Sequence, residues 1–334
     1  MIAKFRNKIN YGKIFSILAF GSFFLILLSG HNLTWAQQGG YPNKPVKIVI
    51  PFNPGGFTDL SIRTMTAFLS QELGVPVVIV NKGGANGMIG AGLALKARPD
   101  GYTIFAGADP PLIYGPLASP NPGYDPFKDF LPLGGLGASP HVFTVHASSP
   151  FKTVADFVNG AKKNPGKLTA GLTQLDARLM FAKFKKAAGV DVKIIPFQRT
   201  SELISALLGK HVDLMGSTWA NSRAYVEADE IRMLFLNFPV PGYSVPTFAE
   251  AGYPEARTTV TRNGLLVSAK TPKPIYEKLV LTIERVSKNP ELRKKWVRMG
   301  LMPDYKNPTE FTADLKRKWD IVSKLMKEMG LGNK

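Results

Sequence analysis

The sequence predicts an α/β fold with parallel sheets and helices on both faces, and two observations support this. Between Val46 and Ala106, short runs rich in Val and Ile alternate with segments whose apolar residues recur at helical spacing. The order strand, helix, strand, helix, strand within about 65 residues is typical of right-handed crossovers in a parallel sheet. Loops after successive parallel strands meet at one sheet edge, where open α/β sheets bind ligands. We therefore expect residues 53–59, 82–90 and 107–111 to line one rim.

The first predicted strand and helix are joined by a glycine turn. The strand Val46–Ile50 is stopped by Pro51, and Gly55 and Gly56 allow a turn that residues with side chains would strain. Apolar residues at helical spacing then predict a helix over Asp59–Leu73. The free N–H groups and the dipole at the start of such a helix favour a carboxylate or a phosphate.

A purely structural interpretation of the turn stays open beside this one. Thr58 could cap the helix and Asp59 could complement its dipole without either residue contacting a ligand. Phe57 could equally serve loop packing. The aromatic residues Phe181, Phe184 and Phe197 are expected in the core.

The remaining elements continue the same alternation into a second α/β set and a helical C-terminal region. Residues 109–132 are dense in Pro, Gly, Asn and Asp and predict a long loop. Further strands are predicted at Val75–Asn81, Tyr102–Ala106, Ser139–His146, Leu168–Leu172, Val192–Phe197, Val212–Met215 and Leu265–Val267. Further helices are predicted at Ala91–Ala97, Val154–Lys163 with Thr153 as N-cap, Ala177–Ala188, Ser201–Leu208, Pro274–Ser287, Glu291–Met299 and Pro308–Met329, the last with a docking stripe of Phe311, Leu315, Trp319, Val322 and Leu325.

The N-terminus has the three parts of a secretory signal peptide. Four basic residues precede an apolar run at Ile14–Leu28, and Thr34–Ala36 resembles a cleavage site. We expect residues 1–36 to be removed near Ala36 and the protein to be exported. The apolar run is short for a membrane span, and a retained N-terminal anchor is the alternative.

Composition limits the partners. The formal net charge of +18 falls to +14 without the four basic signal residues, and the remaining basic residues are scattered through predicted helices with no aromatic-interleaved patch. We therefore expect no nucleic-acid binding, and a positive field that attracts small anions. The chain has no cysteine, so its cores must stabilise it without disulfides.

Familiar catalytic patterns are absent from the sequence. It has no Gly-x-Ser-x-Gly elbow, no phosphate-binding loop and no Gly-x-Gly-x-x-Gly. Of the later histidines, His141 and His146 are five apart in a predicted strand and should face opposite sides, and His211 stands alone. We therefore predict no enzymatic activity, no metal site and no cofactor.

A series of short motifs runs through the chain after the predicted signal peptide. The longest is Tyr-Pro-x-Lys-Pro-Val-Lys-Ile-Val-Ile-Pro-Phe-x-Pro-Gly-Gly at 41–56. The other blocks are Asp59, Arg63, Pro76–Asn81, Gly87–Gly90, Pro99–Thr103, Tyr124–Pro126, Lys128–Phe130, Asn164–Leu168, Val245–Phe248, Glu250–Gly252 and Pro308–Phe311. Together, these motifs resemble the Bug/TctC family of periplasmic solute-binding proteins of the tripartite tricarboxylate transporter type.

This resemblance implies a type II periplasmic-binding-protein fold, in which two α/β domains joined by a hinge close on a small organic carboxylate in the cleft. Residues 41–138 and 258–334 would form the first domain and residues 139–257 the second. The first-domain half of the site would comprise Phe52, Asn53, Gly55, Gly56, Phe57, Thr58 and Asp59, with Gly87, Ala108 and Asp109 as further candidates. Asp59 would fix the turn and bound water, because a bare carboxylate would repel the ligand.

The second-domain segments depart from the family pattern. Thr173 and Gln174 could donate hydrogen bonds, and Arg178 stands where similar proteins usually have a histidine. Arg178 and Arg199 either clamp a second carboxylate or point to solvent. Trp219 and Phe57 could enclose an apolar or aromatic ligand body. Asn221 completes the candidate set.

The resemblance also implies how the protein would act. It would be a monomeric receptor for a carboxylate, with a di- or aromatic acid favoured, and would deliver it to the large and small membrane subunits of a transporter. The alternatives are an exported carboxylate-processing enzyme and a carboxylate sensor on the same fold.

Overall fold

Two β-sheets organise the chain in the computed structural model, which describes residues 40–173, 175–256 and 260–328. The predicted signal peptide at 1–36 lies outside these residues. The strands are β1 Val46–Ile50, β2 Val77–Asn81, β3 Thr103–Ala108, β4 Phe130–Ser139, β5 His141–His146, β6 Thr169–Leu172, β7 Lys193–Pro196, β8 Leu214–Thr218, β9 Ile231–Leu236, β10 Thr261–Ser268 and β11 Met302–Lys306.

The helices lie between these strands in the order typical of α/β proteins. They are α1 Phe57–Leu73, α2 Met88–Lys96, α3 Gly115–Ala118, α4 Val154–Lys163, α5 Leu175–Ala188, α6 Thr200–Leu208, α7 Trp219–Glu227, α8 Lys273–Lys288, α9 Pro290–Arg298 and α10 Pro308–Glu328. Short 3₁₀ segments lie at Ala85–Gly87 and Pro254–Ala256, and a π-helix at Pro110–Tyr114.

The strand pairing confirms the predicted α/β class, but the prediction of parallel sheets was wrong in part. Both sheets are mixed, because β10 pairs antiparallel with β3 and β4, β11 with β4, and β5 with β8 and β9. The first sheet runs β11-β4-β10-β3-β1-β2 and the second runs β7-β6-β8-β5-β9. β1 pairs in parallel with β2 and β3, so that Ile48 lies between Ile79 and Ile104. β6 likewise pairs in parallel with β7 and β8. We call the first sheet with helices α1–α3 and α8–α10 the first lobe, and the second sheet with helices α4–α7 the second lobe.

The chain passes between the two sheets at Pro140 and again between the end of β9 at Leu236 and the start of β10 at Thr261. The prediction of one strand over Ser139–His146 was wrong at this point. Ser139 ends β4 in the first sheet and His141 begins β5 in the second. Pro140 has no N–H to continue a hydrogen-bond ladder, so the strand divides there.

The long loop predicted over 109–132 was also wrong in part. Pro110–Ala118 is helical, because a proline at a helix start removes an N–H that has no partner inside the helix. Residues 130–132, at the end of the predicted loop, belong to the glycine-containing strand β4. A Cβ at Gly135 would lie 3.0 Å from the ring of Phe311. The glycine therefore serves close packing of α10 rather than a turn.

Each lobe has an apolar core, and Leu179 of the second-lobe helix α5 joins the core of the first lobe. In the second lobe, Phe143 stacks on Phe235 with ring centroids 4.7 Å apart, and Phe181 and Phe184 are buried beside them as predicted. In the first lobe, the predicted stripe of α10 is confirmed, since its members Phe311, Leu315, Val322 and Leu325 are buried and Trp319 packs against them. Among the described residues, no helix is long and apolar enough to cross a membrane.

Candidate functional site

The glycine turn after β1 opens directly into helix α1. Gly55 has a φ of +89°, which a residue with a side chain rarely adopts, and Gly56 is the N-cap. Because α1 begins at Phe57, Thr58 lies inside the helix, and no side chain caps the helix start. The alternative in which Thr58 caps the helix was therefore wrong. The uncapped start is the arrangement that leaves N–H groups for an anion.

The side chain of Asp59 holds this turn in place without lining the cleft. Its Oδ2 accepts a hydrogen bond of 3.0 Å from the Gly55 N–H, and its Oδ1 accepts bonds from Arg63 Nη2 at 2.7 Å and Asn81 Nδ2 at 2.9 Å. Burial alone would raise the pKa of Asp59, but these hydrogen bonds and the charge of Arg63 hold it below its usual range. The side chain is 1% exposed and does not line the cleft, so its predicted contact with ligand was wrong, whereas its predicted role in the turn is confirmed.

A cleft of about 880 Å³ lies where the parallel strands of both sheets end. This confirms the predicted sheet edge. Ten of the predicted residues line it: Phe52, Asn53, Gly55, Gly56, Phe57, Thr58, Gly87 and Ala108 from the first lobe, with Thr173 and Asn221 from the second. The two candidate arginines, Arg178 and Arg199, line it as well. Gln174 lies outside the described residues.

The loop after β2 brings backbone close to the floor of the cleft. Gly87 has a φ of +84°, and a Cβ there would lie 3.1 Å from the Cβ of Pro51 and 3.2 Å from Pro111. At Gly90 a Cβ would lie 2.8 Å from the Cα of Pro51. Glycine at both positions lets the start of α2 pack against the end of β1.

The charged residues that line the described part of the cleft are two arginines, with no Asp or Glu among its lining residues. The starts of α1, α5, α6 and α7 also contribute lining residues. Each of these helices is at least nine residues long. Guanidinium groups and the positive ends of helix dipoles together give a cleft suited to an anion.

The two arginines differ in their surroundings. Arg199 has a side chain that is 66% exposed, and its Nε lies 3.8 Å from Glu202 Oε1. Arg178 is half-buried on α5. Its Nε is buried and has no hydrogen-bond partner among the residues that the structure describes.

Two other predicted site residues face away from the cleft. Asp109 is 1% exposed, and both of its carboxylate oxygens accept hydrogen bonds of 3.1 Å from Lys318 Nζ. Burial raises the pKa of Asp109, and Lys318 offsets part of that effect. Trp219 is buried edge-on against Tyr243, with ring centroids 4.9 Å apart. As the first residue of α7, it joins the apolar cluster under that helix, so the predicted aromatic sandwich with Phe57 was wrong.

Other lining residues escaped the sequence analysis. Phe197 was expected in the core, but it is half-buried and lines the cleft. Its position directly after β7 was the available signal, because parallel strands point their carboxyl ends at the site. Tyr114 and Leu175 also line the cleft, and both come from segments whose helical structure the sequence did not predict.

A buried polar group joins both crossings between the sheets. His141 Nε2 lies 3.3 Å from Asp176 Oδ2, and Thr261 Oγ1 donates a hydrogen bond of 3.0 Å to the same oxygen. Burial alone would raise the pKa of Asp176, but the neighbouring His141 holds it below its usual range. Thr261 lines the cleft, so this group lies directly beneath the cleft floor. Nowhere in the described ranges do three or more His, Cys, Asp or Glu side chains cluster to hold a metal.

Comparisons with known proteins place the chain in one family. The model of the tripartite tricarboxylate transporter family receptor matches residues 62–331. The protein in the gbd 5′ region of Cupriavidus necator is 32% identical over 305 residues, which cover 87% of this chain and 90% of the relative.

Solved structures show the same fold. R. palustris Rpa4515 with adipate superposes with a TM-score of 0.81 at 28% identity, over 88% of this chain and 99% of that one. Periplasmic binding protein BugD superposes with a TM-score of 0.79 at 28% identity, over 88% and 100%. The chain belongs to the family of tripartite tricarboxylate transporter receptors.

Proposed function

We propose that this protein is a periplasmic receptor that captures a small organic carboxylate between its two lobes and delivers it to a membrane transporter. The observation that supports this most directly is the charge of the cleft. Two arginines and an uncapped helix start line it, while no acidic side chain does so among its described lining residues. Such a site attracts an anion and repels a cation.

The first carboxylate of the ligand binds at the glycine turn. Phe52, Asn53, Gly55, Gly56 and Thr58 surround it, and the N–H groups at the start of α1 donate to its oxygens. Gly87 and Ala108 complete this wall. On the opposite wall, Thr173 and Asn221 supply further polar groups. Gln174 belongs to the same segment.

The nature of one relative supports the ligand class. The R. palustris protein that superposes on this chain was solved with adipate, a linear dicarboxylate. A small diacid is also compatible with the cleft, whose volume of about 880 Å³ is within the range of sites for larger, drug-sized ligands.

Capture is a hinge closure that needs no covalent change in the ligand. Residues 41–138 with 258–334 form one moving unit and residues 139–257 the other. Because the two walls of the site belong to different units, only the closed state lets both contact the ligand, and binding shifts the population toward closure. The partners are the large and small membrane subunits of the transporter. The receptor is a monomer whose signal peptide is removed near Ala36.

A thermal-shift screen of carboxylates tests the proposal. At least one organic acid should raise the melting temperature, because a ligand that binds only the folded state stabilises it. A shift with sugars or amines but with no acid would refute the ligand class. Recovery of the bound acid unchanged after long incubation separates a receptor from an enzyme, and the mass of the secreted chain tests cleavage near Ala36.

A substitution at the N-cap gives a matched control. Nothing lies within 4 Å of a Cβ placed at Gly56, so a side chain there fits without a clash. Gly56→Asp should abolish the acid response by placing a negative charge in the turn, and Gly56→Asn has nearly the same shape without the charge. An acid response that survives in Gly56→Asp would mean that the turn does not bind a carboxylate, whereas equal losses in the two variants would mean that either side chain competes with the ligand by capping the free N–H groups of α1.

A further inference from the structure

The two walls of the cleft offer different kinds of anion donor. The first-lobe wall presents backbone N–H groups at the start of α1, whereas the second-lobe wall presents the side chains of two arginines. A ligand with one carboxylate can satisfy only one of these walls directly. A ligand with two carboxylates can satisfy both.

Of the two arginines that line the cleft, Arg178 has the surroundings better suited to binding a carboxylate. Arg199 is mostly exposed and already has Glu202 at 3.8 Å, so water and a counter-charge reduce what a carboxylate could gain there. Arg178 is half-buried, and its buried Nε has no hydrogen-bond partner within the described residues. That nitrogen is closed to solvent and therefore to a ligand, but the half-buried guanidinium lines the cleft, and water screens a carboxylate paired with it less than one paired with Arg199.

The structure also holds Arg178 in place before a ligand binds. Asp176, two residues earlier on α5, is tied to His141 and Thr261, and its Oδ1 accepts a hydrogen bond of 2.8 Å from the Ala177 N–H. Leu179, the next residue, is buried at 1% exposure in an apolar cluster with Tyr114 and Leu315. With its flanking residues fixed, the backbone of Arg178 is held at the wall of the cleft before a ligand binds.

Asp176 does not form an ion pair with Arg178. The carboxylate oxygens of Asp176 bond to His141, to Thr261 and to its neighbouring backbone, and no ion pair links it to Arg178. The guanidinium of Arg178 therefore faces the cleft with its charge available.

We infer that Arg178 binds the second carboxylate of a dicarboxylate ligand whose first carboxylate lies at the glycine turn, so that Arg178 sets the preference for diacids over monoacids. This inference rests on the proposed function. Arg199 is left as a surface residue at the rim of the cleft.

Calorimetric titration with matched acids tests the inference. The probes are the linear diacids from malonate to suberate, each compared with the monoacid of equal carbon number. The wild-type protein should bind its best diacid about tenfold or more tighter than the matched monoacid, as expected for a charge-assisted pair in a partly buried site. Arg178→Gln should remove that preference with little effect on monoacid affinity. Arg199→Gln tests the other arginine of the cleft, and Arg285→Gln, at an exposed arginine that does not line the cleft, is the matched control and should keep the diacid preference within about threefold of wild type.

Several outcomes would overturn the inference. A diacid preference that survives Arg178→Gln, or one that disappears in Arg199→Gln instead, would assign the second carboxylate elsewhere while leaving the proposed function intact. If Arg178→Gln does not fold, Arg178→Met decides, because Met also removes the charge while keeping an apolar stem, and an unchanged diacid preference in that variant counts against the inference. Failure of the wild-type protein to bind any acid would instead refute the proposed function itself.

Discussion

Replacing Lys318 by Met should unfold the first lobe more easily and make its stability depend on pH. Lys318 is 1% exposed on α10, and its Nζ donates to both oxygens of Asp109, 209 residues earlier, at 3.1 Å each. It also donates to the carbonyl of Val260 at 2.8 Å. Met keeps the length of the apolar stem but removes the charge, so Asp109 is left buried without its partner.

The loss of stability is limited by protonation of Asp109, which removes its unpaired charge. Breaking one side of a buried ion pair costs about 3–5 kcal/mol. Protonation limits the cost, because taking up a proton at pH 7 from the ordinary pKa of 3.8 costs about 1.4 kcal/mol per unit, or about 4 kcal/mol in all. At pH 5 the same protonation costs about 1.6 kcal/mol.

The sign of the pH dependence is opposite to that of an exposed ion pair. Burial already raises the pKa of Asp109 in the folded protein, and the loss of Lys318 raises it further. Between the unfolded and folded pKa values, the folded state keeps a proton that the unfolded state releases. Stability therefore falls as pH rises through that window.

Urea unfolding followed by circular dichroism at pH 5 and pH 7 measures this. Lys294→Met is the matched control, since Lys294 is 67% exposed and its removal should change the free energy of unfolding by less than about 0.5 kcal/mol. The double variant Asp109→Asn with Lys318→Met should recover much of the loss, because neither position then carries a buried charge. A loss in Lys318→Met that equals the control, or that is the same at both pH values, would refute the reasoning.

Three further predictions concern the cleft and its supports. Asp59→Asn should lower the free energy of unfolding by about 1–2 kcal/mol at neutral pH, a modest value because Arg63 is half-exposed. Since the pKa of Asp59 is lowered in the folded state, the difference in stability from wild type should shrink as pH falls below 3.8. A difference that stays constant with pH in urea titrations would contradict this prediction. Gly90→Ala should destabilise the protein by about 1–3 kcal/mol, because its Cβ would clash with Pro51. Gly92→Ala, on the same helix with open space around it, should be neutral or stabilising. Equal melting temperatures for the two variants would show that the close approach at Gly90 is unimportant. Trp219→Phe should leave acid affinity within about threefold of wild type, because Trp219 lies in an apolar cluster away from the cleft, and a tenfold loss by calorimetry would return it to the site.

The features that the sequence predicted well depend on neighbours in the chain. The positive φ of Gly55 and the start of α4 at its N-cap Thr153 each involve residues at most four positions apart. The same is true of β1 and of the glycine turn that follows it. Because the carboxyl ends of parallel strands share one sheet edge, these local features also located the first wall of the cleft.

Prediction was weaker where distant contacts override local preference. Most of β4 was not predicted as a strand, and its close packing at Gly135 depends on Phe311 from the distant helix α10. Phe197 was expected in the core, but its position directly after β7 places it in the cleft. Asp109 and Trp219 had the right residue types and loop positions for a binding site. Their burial against Lys318 and Tyr243 could be recognised only from contacts made by other parts of the chain.

By itself, then, the sequence determined the α/β class, the glycine turn and an anionic ligand class, because these depend on hydrophobic periodicity, on glycine conformations and on free N–H groups at a helix start. The tertiary structure decided which side chains reach the cleft. Neighbouring positions on α5 show why: Asp176 turns inward to His141 and Thr261, while Arg178 lines the cleft. Successive helical residues point in different directions, and only the packing of the helix determines which of them faces the ligand.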